Sequence, residues 1–204
     1  MSSLNTYLNY HDNSEPWEHQ ALIKARVIGG SGSSEWFQEV KDVLHRAVYE
    51  WHPPTDLNAR INHLRQRKEK ELSRESKHQR NIKEGRGGLL DVEYLTQALH
   101  LKHGRLCPQL QNPKTMEALC ELGKNSIIKK QESKVLQKNY IFLRLIENGL
   151  RLIYDDSTNL LDFKRVQQTT ILQLLKLQGY SVKNLQEAVE SATIEIRKIY
   201  LNYF

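Results

Sequence analysis

Apolar residues recur at helical spacing along most of this chain, and turn residues separate the runs. The clearest run spans 89–101, where Leu89, Leu90, Val92, Tyr94, Leu95, Ala98, Leu99 and Leu101 repeat at three and four residues. That period predicts a helix buried on one face. A basic, glycine-rich turn, Lys83-Glu84-Gly85-Arg86-Gly87-Gly88, leads into it, and it stops near Gly104. Upstream, residues 14–28 predict a helix capped by Ser14, with Trp17, Ala21, Leu22 and Ala25 on one face. Gly29-Gly30-Ser31-Gly32-Ser33 ends it. Residues 34–51 predict a second helix, with Trp36, Phe37, Val40, Val43, Leu44, Ala47 and Val48 as its stripe; His52-Pro53-Pro54 breaks it. Thr55 or Asp56 caps a third helix carrying Leu57, Ile61, Leu64 and Leu72. Residues 73–86 hold little apolar content and predict a mobile connection or a frayed helix end.

Past the central run, residues 106–111 form a loop with Pro108, and Asn112-Pro113 opens a short helix that ends at Gly123. A long helix follows to about residue 154, along Val135, Leu136, Tyr140, Leu143, Ile146, Leu150 and Ile153. Residues 155–159 read as a turn. Residues 160–177 read as a helix with Val166, Ile171, Leu174 and Leu175 facing in, ended by Gly179. Ser181 caps a last helix, to about residue 200, along Val182, Leu185, Val189, Ile194 and Ile199. Residues 1–13 read as a polar tail. No stretch alternates convincingly, so the fold class is all-α: a bundle of about seven or eight helices with no sheet.

Composition changes this picture little. Hydrophobic residues make up 39% and charged residues 26% of 204 positions, as in an ordinary globular protein. No apolar run approaches the roughly 18 residues of a membrane span. The polar start lacks the apolar segment of a signal peptide, which points to the cytoplasm. Cys107 and Cys120 have no zinc-ligand spacing and make no disulfide framework, so reduced thiols are expected. Among the eight histidines, His100 and His103 are three apart but lack an acidic or cysteine partner.

Charge adds more. A net charge of +6 favours anionic partners such as nucleotide phosphate, nucleic acid or acidic protein surfaces. The densest basic run, 60–83, is interrupted by Glu69, Glu71 and Glu75, the pattern of a solvated helix face rather than a nucleic-acid stripe.

The stretch from 81 to 104 supports two readings. In one it is a helix start: glycines supply positive φ, and Asp91 and Glu93 complement the helix dipole. In the other it holds a polar site. Backbone N–H groups beside Lys83 and Arg86 suit a phosphate, and Asp91 and Glu93 suit a metal or a ligand hydroxyl. Trp17, Tyr94 and Tyr140 read as core rather than as a base-stacking box.

Four segments in order resemble glutamine synthetase adenylyltransferases. Gly87-Gly88-Leu89-Leu90-Asp91-Val92-Glu93-Tyr94 resembles that family's Gly-Gly-Ile-x-Asp-Ile-Glu-Phe segment. Trp17-Glu18-His19-Gln20-Ala21-Leu22-Ile23-Lys24-Ala25-Arg26 resembles its Trp-Glu-Arg-Gln-Ala-Leu-x-x-Ala-Arg segment. Leu64-Arg65-Gln66-Arg67 with Glu69 and Glu71 resembles its Arg-x-Arg-x-Glu helix. Tyr140-Ile141-Phe142-Leu143-Arg144-Leu145-Ile146-Glu147 resembles its Tyr-x-Phe-Leu-Arg-x-Ile-Glu segment. The helical domain of PII uridylyltransferases is a related neighbour.

The resemblance implies ATP- and Mg²⁺-dependent transfer of AMP to a tyrosine of glutamine synthetase, and its removal. It also implies a nucleotidyltransferase head and glutamine synthetase as partners, with a PII-type signal protein as a further one. The family's metal-binding acids lie in a Gly-Ser…Asp-x-Asp segment ahead of the Trp-Glu segment. No such arrangement occurs here, and Asp155-Asp156 is the nearest imitation. Residues 1–30 are therefore expected to be a tail and the last helix of such a head, and 31–204 the helical domain that follows it. That domain would complete a nucleotide or target site with Lys24, Arg26, Lys83, Arg86, Gly87, Gly88, Asp91 and Glu93, without transferring nucleotide by itself and without holding ATP tightly. The alternative is a regulatory module that docks glutamine synthetase or a signal protein without touching nucleotide.

Overall fold

The computed structural model describes residues 3–154, 159–164 and 168–204. Among them are nine α-helices: α1 (Leu4–Asp12), α2 (Pro16–Leu22), α3 (Ser34–Tyr49), α4 (Leu57–Leu72), α5 (Leu89–His103), α6 (Thr115–Lys124), α7 (Lys130–Tyr154), α8 (Gln168–Leu177) and α9 (Leu185–Tyr200). The fold is all-α in class, with one small addition. Strands β1 (Gln79–Asn81) and β2 (Leu160–Asp162) pair antiparallel.

α5 is the hub. It packs against α2, α4, α6, α7 and α9, and ten of its fifteen residues are buried. This explains why its run is apolar on more than one side, unlike the single-faced stripe expected: a helix surrounded on all sides has no solvent face to keep polar. α7 supplies the second wall with Leu136, Tyr140, Phe142, Leu143, Ile146 and Leu150.

Local chemistry sets most helix starts. The Ser33 hydroxyl accepts the Trp36 N–H at 3.3 Å to open α3. The Asn184 side chain accepts the N–H groups of Gln186 and Glu187 to open α9, displacing the expected cap at Ser181. At α2 the cap is Glu15 rather than Ser14: the Glu15 N–H donates to the Glu18 carboxylate at 2.8 Å, and Pro16 follows as first residue. Ser14 instead bridges the His11 carbonyl and the His19 ring. Gly179, at φ +81°, ends α8 by turning the Tyr180 N–H back to Leu175 O at 3.0 Å.

Four expectations are corrected. Residues within the expected tail form α1, capped by Ser3 and packed on α3. α2 is shorter than expected and buries the other face, Pro16, His19 and Gln20, while Trp17 stays 53% exposed. Polar partners decide that face: His19 stacks on Trp51, and His19 Nδ1 lies 2.7 Å from Ala47 O. Residues 73–86 are not a loose connection, because β1 pairs with β2 and the turn after it is closed by backbone hydrogen bonds. Residues 160–162 are strand rather than helix, since a two-leucine segment carries no period that separates the two states. The Ile82 N–H donates to Asn159 O, and the Phe163 N–H to His78 O, extending the pairing at both ends. The expected turn at Asp155, Asp156, Ser157 and Thr158, and the inward Val166, lie outside the described residues.

Candidate functional site

The turn into α5 is built around one carboxylate. Asp91 is fully buried, and its Oδ2 accepts the Gly87 N–H at 2.9 Å. Arg65 Nη2, from α4, lies 2.6 Å from Asp91 Oδ1, and Arg197 Nη1, from α9, lies 3.0 Å from Oδ2. Arg65 also donates to Gly85 O at 2.7 Å, so one guanidinium grips both the turn and the acid that organises it. Glu69 Oε2 closes the cluster at 3.1 Å from Arg197 and 3.5 Å from Arg65. Burial pulls the Arg197 guanidinium down, but Asp91 and Glu69 hold it above its ordinary value.

Glycine is required where α9 crosses the turn. Gly87 has φ +74°, and a Cβ there would stand 1.9 Å from Thr193 O. A Cβ on Gly88 would meet the Lys83 and Ile82 carbonyls at under 3.0 Å. All but one of the turn's N–H groups, that of Arg86, are consumed internally. Asn81 Oδ1 accepts those of Lys83 and Glu84, and those of Gly85, Gly88, Leu89 and Leu90 go to carbonyls within the turn. What the turn offers an anion is therefore the side chains of Lys83 and Arg86, half-buried and exposed respectively, rather than the nest of free amides that the sequence suggested.

Two residues along, Glu93 faces the other way. Its Oε1 accepts the Tyr140 hydroxyl at 2.9 Å from α7, and its Oε2 lies 3.5 Å from Lys24 Nζ beyond α2. Burial first, and Glu93 second, push the Tyr140 hydroxyl above its usual range. One turn on, Gln97 accepts the Gln20 amide at 2.7 Å. Lys24 is about half exposed and Glu93 18% exposed, so this cluster reaches solvent.

The candidate residues thus fall into three places. Asp91, Gly87 and Gly88 form the buried frame of the turn, with Lys83 and Arg86 on its outside. Glu93 and Lys24 form the second cluster. Arg26 lies apart, lining a groove between α2 and α3 with Lys41 and His45. Asp91 and Glu93, on opposite sides of α5 and each already partnered, do not converge on a cation. Among the described residues no group of three or more His, Cys, Asp or Glu could hold a metal ion.

Sequence reasoning missed Arg65 and Arg197. Arg65 sits in the Arg-x-Arg-x-Glu segment quoted above, but its place in a run of charged residues argued for solvent; it is 0% exposed. Arg197 stands in no motif. Tyr94 and Tyr140 are core as expected, although Tyr140 also serves the Glu93 cluster. Glu147 is buried between Arg144 and Arg151, at 2.6 and 2.8 Å.

A model of the family described as GlnD PII-uridylyltransferase matches residues 55–204, which includes α4, α5, α7 and α9 and so the whole Arg65–Asp91–Arg197 frame. The chain belongs to that family. It is also similar to proteins named bifunctional glutamine synthetase adenylyltransferase/adenylyl-removing enzyme. That of Pasteurella multocida is 27% identical over 189 residues, covering 93% of this chain and 19% of the relative. That of Alteromonas mediterranea is 31% identical over 176 residues, 84% of this chain and 17% of the relative. That of Mycolicibacterium smegmatis is 34% identical over 153 residues, 74% of this chain and 15% of the relative. The chain thus spans less than a fifth of the length of these relatives. No helix among the described residues is long and apolar enough to cross a membrane.

Proposed function

We propose that this chain is the helical domain that stands beside a nucleotidyltransferase head in a cytoplasmic glutamine synthetase adenylyltransferase or adenylyl-removing enzyme, and that it completes the nucleotide or target site from outside. The observation that carries this reading is the turn at the start of α5. Asp91, Arg65 and Arg197 lock its backbone, with Arg86 exposed on its outside beside a half-buried Lys83 whose Nζ lies 4.0 Å from Glu84 Oε1. Such cations would neutralise phosphate charge on ATP or on an adenylylated tyrosine. Lys24, Glu93 and Tyr140 would orient a hydroxyl or the attacking group through the Lys24–Glu93 ion pair and the Tyr140–Glu93 hydrogen bond.

Asp91 and Glu93 do not fit Mg²⁺. Asp91 is occupied by two guanidiniums and an amide, and Glu93 by a phenol and an ammonium. In this reading the metal ions that neutralise charge at the reacting phosphorus belong to the head, which would hold them with carboxylates of its own. Glutamine synthetase is the target, and a PII-type signal protein a further partner.

The test is incubation of labelled ATP, Mg²⁺ and glutamine synthetase with this chain, with a separate catalytic head, and with both. The expected result is no incorporation with the chain alone and more incorporation with both than with the head alone. Transfer by the chain alone, or a head indifferent to the chain, would refute the proposal.

A further inference from the structure

The groove between α2 and α3 lies apart from the Asp91 turn, although its lining residues Ile23 and Ala25 flank Lys24 of the second cluster. It has a volume of about 320 Å³ and an apolar floor that includes Leu22, Leu44 and Val48. Its rim carries Arg26 and Lys41, both exposed, and its lining includes no carboxylate. Several basic side chains of α3 and α4 are answered by carboxylates. Arg46 pairs with Glu50, Arg60 with Glu15 and Asp56, and Arg67 with Glu71. Arg26 and Lys41 have no such partner among the described residues. The apolar stripe of α3 continues past the groove through Phe37 and Val40, both only half-buried. One helix face thus offers apolar positions at 37, 40, 44 and 48 with a cation at 41, the spacing that receives an amphipathic helix.

We propose that this groove docks an acidic amphipathic helix of a partner protein, its apolar residues on Leu22, Leu44 and Val48 and its carboxylates on Arg26 and Lys41. Charge complementarity selects that occupant. Two unanswered cations beside an apolar floor favour an anionic partner and disfavour a basic one. Hydrophobic contact supplies the attraction, and the rim sets which sequence is accepted. This site shares no residue with the Asp91 turn or with Lys24, Glu93 and Tyr140.

The test uses a fluorescein-labelled 14-residue peptide with leucines at helical spacing and glutamates between them, titrated against the chain by anisotropy. Saturable binding is expected, falling about tenfold or more in the R26E/K41E variant, as expected for reversing two rim charges. The same variant should gain affinity for a peptide carrying lysines in place of the glutamates. Both substitutions are on exposed side chains, so an unchanged melting temperature verifies folding. No binding, binding indifferent to R26E/K41E, or ATP competing the peptide away would overturn the proposal. So would sedimentation showing that a second copy of the chain fills the groove, with a dimer lost in L44D.

Discussion

Replacing Asp91 by alanine should unfold much of what the sequence presents as a ligand site. The substitution strips a fully buried carboxylate from between two guanidiniums, one 0% exposed and the other 12% exposed in its side chain. Four charges, Arg65, Arg197, Asp91 and Glu69, balance in the native cluster; three remain afterwards, with Glu69 the lone acid. Breaking a buried pair by removing one partner costs roughly 3–5 kcal/mol, because the survivor stays desolvated. The Gly87 N–H also loses its acceptor, a loss of order 1–3 kcal/mol that overlaps with the first. Taking about 4 kcal/mol, and about 2–4 °C per kcal/mol for a domain of this size, the melting temperature should fall by roughly 8–16 °C. Urea denaturation followed by circular dichroism measures the difference directly. The triple change Asp91→Leu, Arg65→Met and Arg197→Met should recover part of the loss, since the one charge it strands, Glu69, is 24% exposed. A loss below about 1 kcal/mol, or a triple variant no better than the single one, would refute the claim that ion pairing holds this turn. A consequence for function follows: nucleotide binding lost in Asp91→Ala reports a collapsed turn and not a ligand contact, so half-buried Lys83 and exposed Arg86, on the outside of the turn, are the informative positions.

Three further outcomes are expected. Gly87→Ala combines a positive φ with a Cβ driven against Thr193 O, and should cost more than about 2 kcal/mol in chemical denaturation. Tyr140→Phe removes the hydroxyl that Glu93 accepts; because Glu93 still meets Lys24 and solvent, the same measurement should show a loss of only about 1 kcal/mol. His100 is held down to about 4 by burial, with its Nε2 3.0 Å from the Tyr49 hydroxyl, while the unfolded chain takes up that proton near 6.5. Its contribution is therefore full above pH 6.5 and is lost as pH falls from 6.5 to 4, by roughly 3 kcal/mol at most. His19 and His11, both lowered chiefly by burial, act in the same direction. Thermal melts between pH 7 and 4 should steepen accordingly, and His100→Gln should flatten the dependence.

Period and turn chemistry made the long elements legible. The bounds of α3, α5 and α7 follow the apolar runs closely, because each run lies between strong breakers; α5 and α7 bury theirs, whereas α3 buries only Val43, Ala47 and Val48. Short elements escaped. α1 has one buried residue, His11, and is held by polar and ring contacts that leave no apolar pattern. The β1–β2 pair joins segments about eighty residues apart, and no local signal records such a pairing. On α2 the apolar face pointed outward, since His19 and Gln20 found partners on α3 and α5 that the sequence does not place nearby. The site was legible in its residue types but not in its geometry. Asp91 and Glu93 look alike on paper. One is sealed between α4 and α9 by an arginine, Arg197, more than a hundred residues away, and the other opens toward α2 and α7.

Titrating ATP with Mg²⁺ into this chain by calorimetry, beside the double variant Lys83→Ala/Arg86→Ala, tests the central claim most directly. The account predicts weak, saturable binding that the double variant weakens about tenfold or more at an unchanged melting temperature, as expected for losing two phosphate-facing cations. Absence of any heat of binding, or equal binding by both proteins, would contradict it.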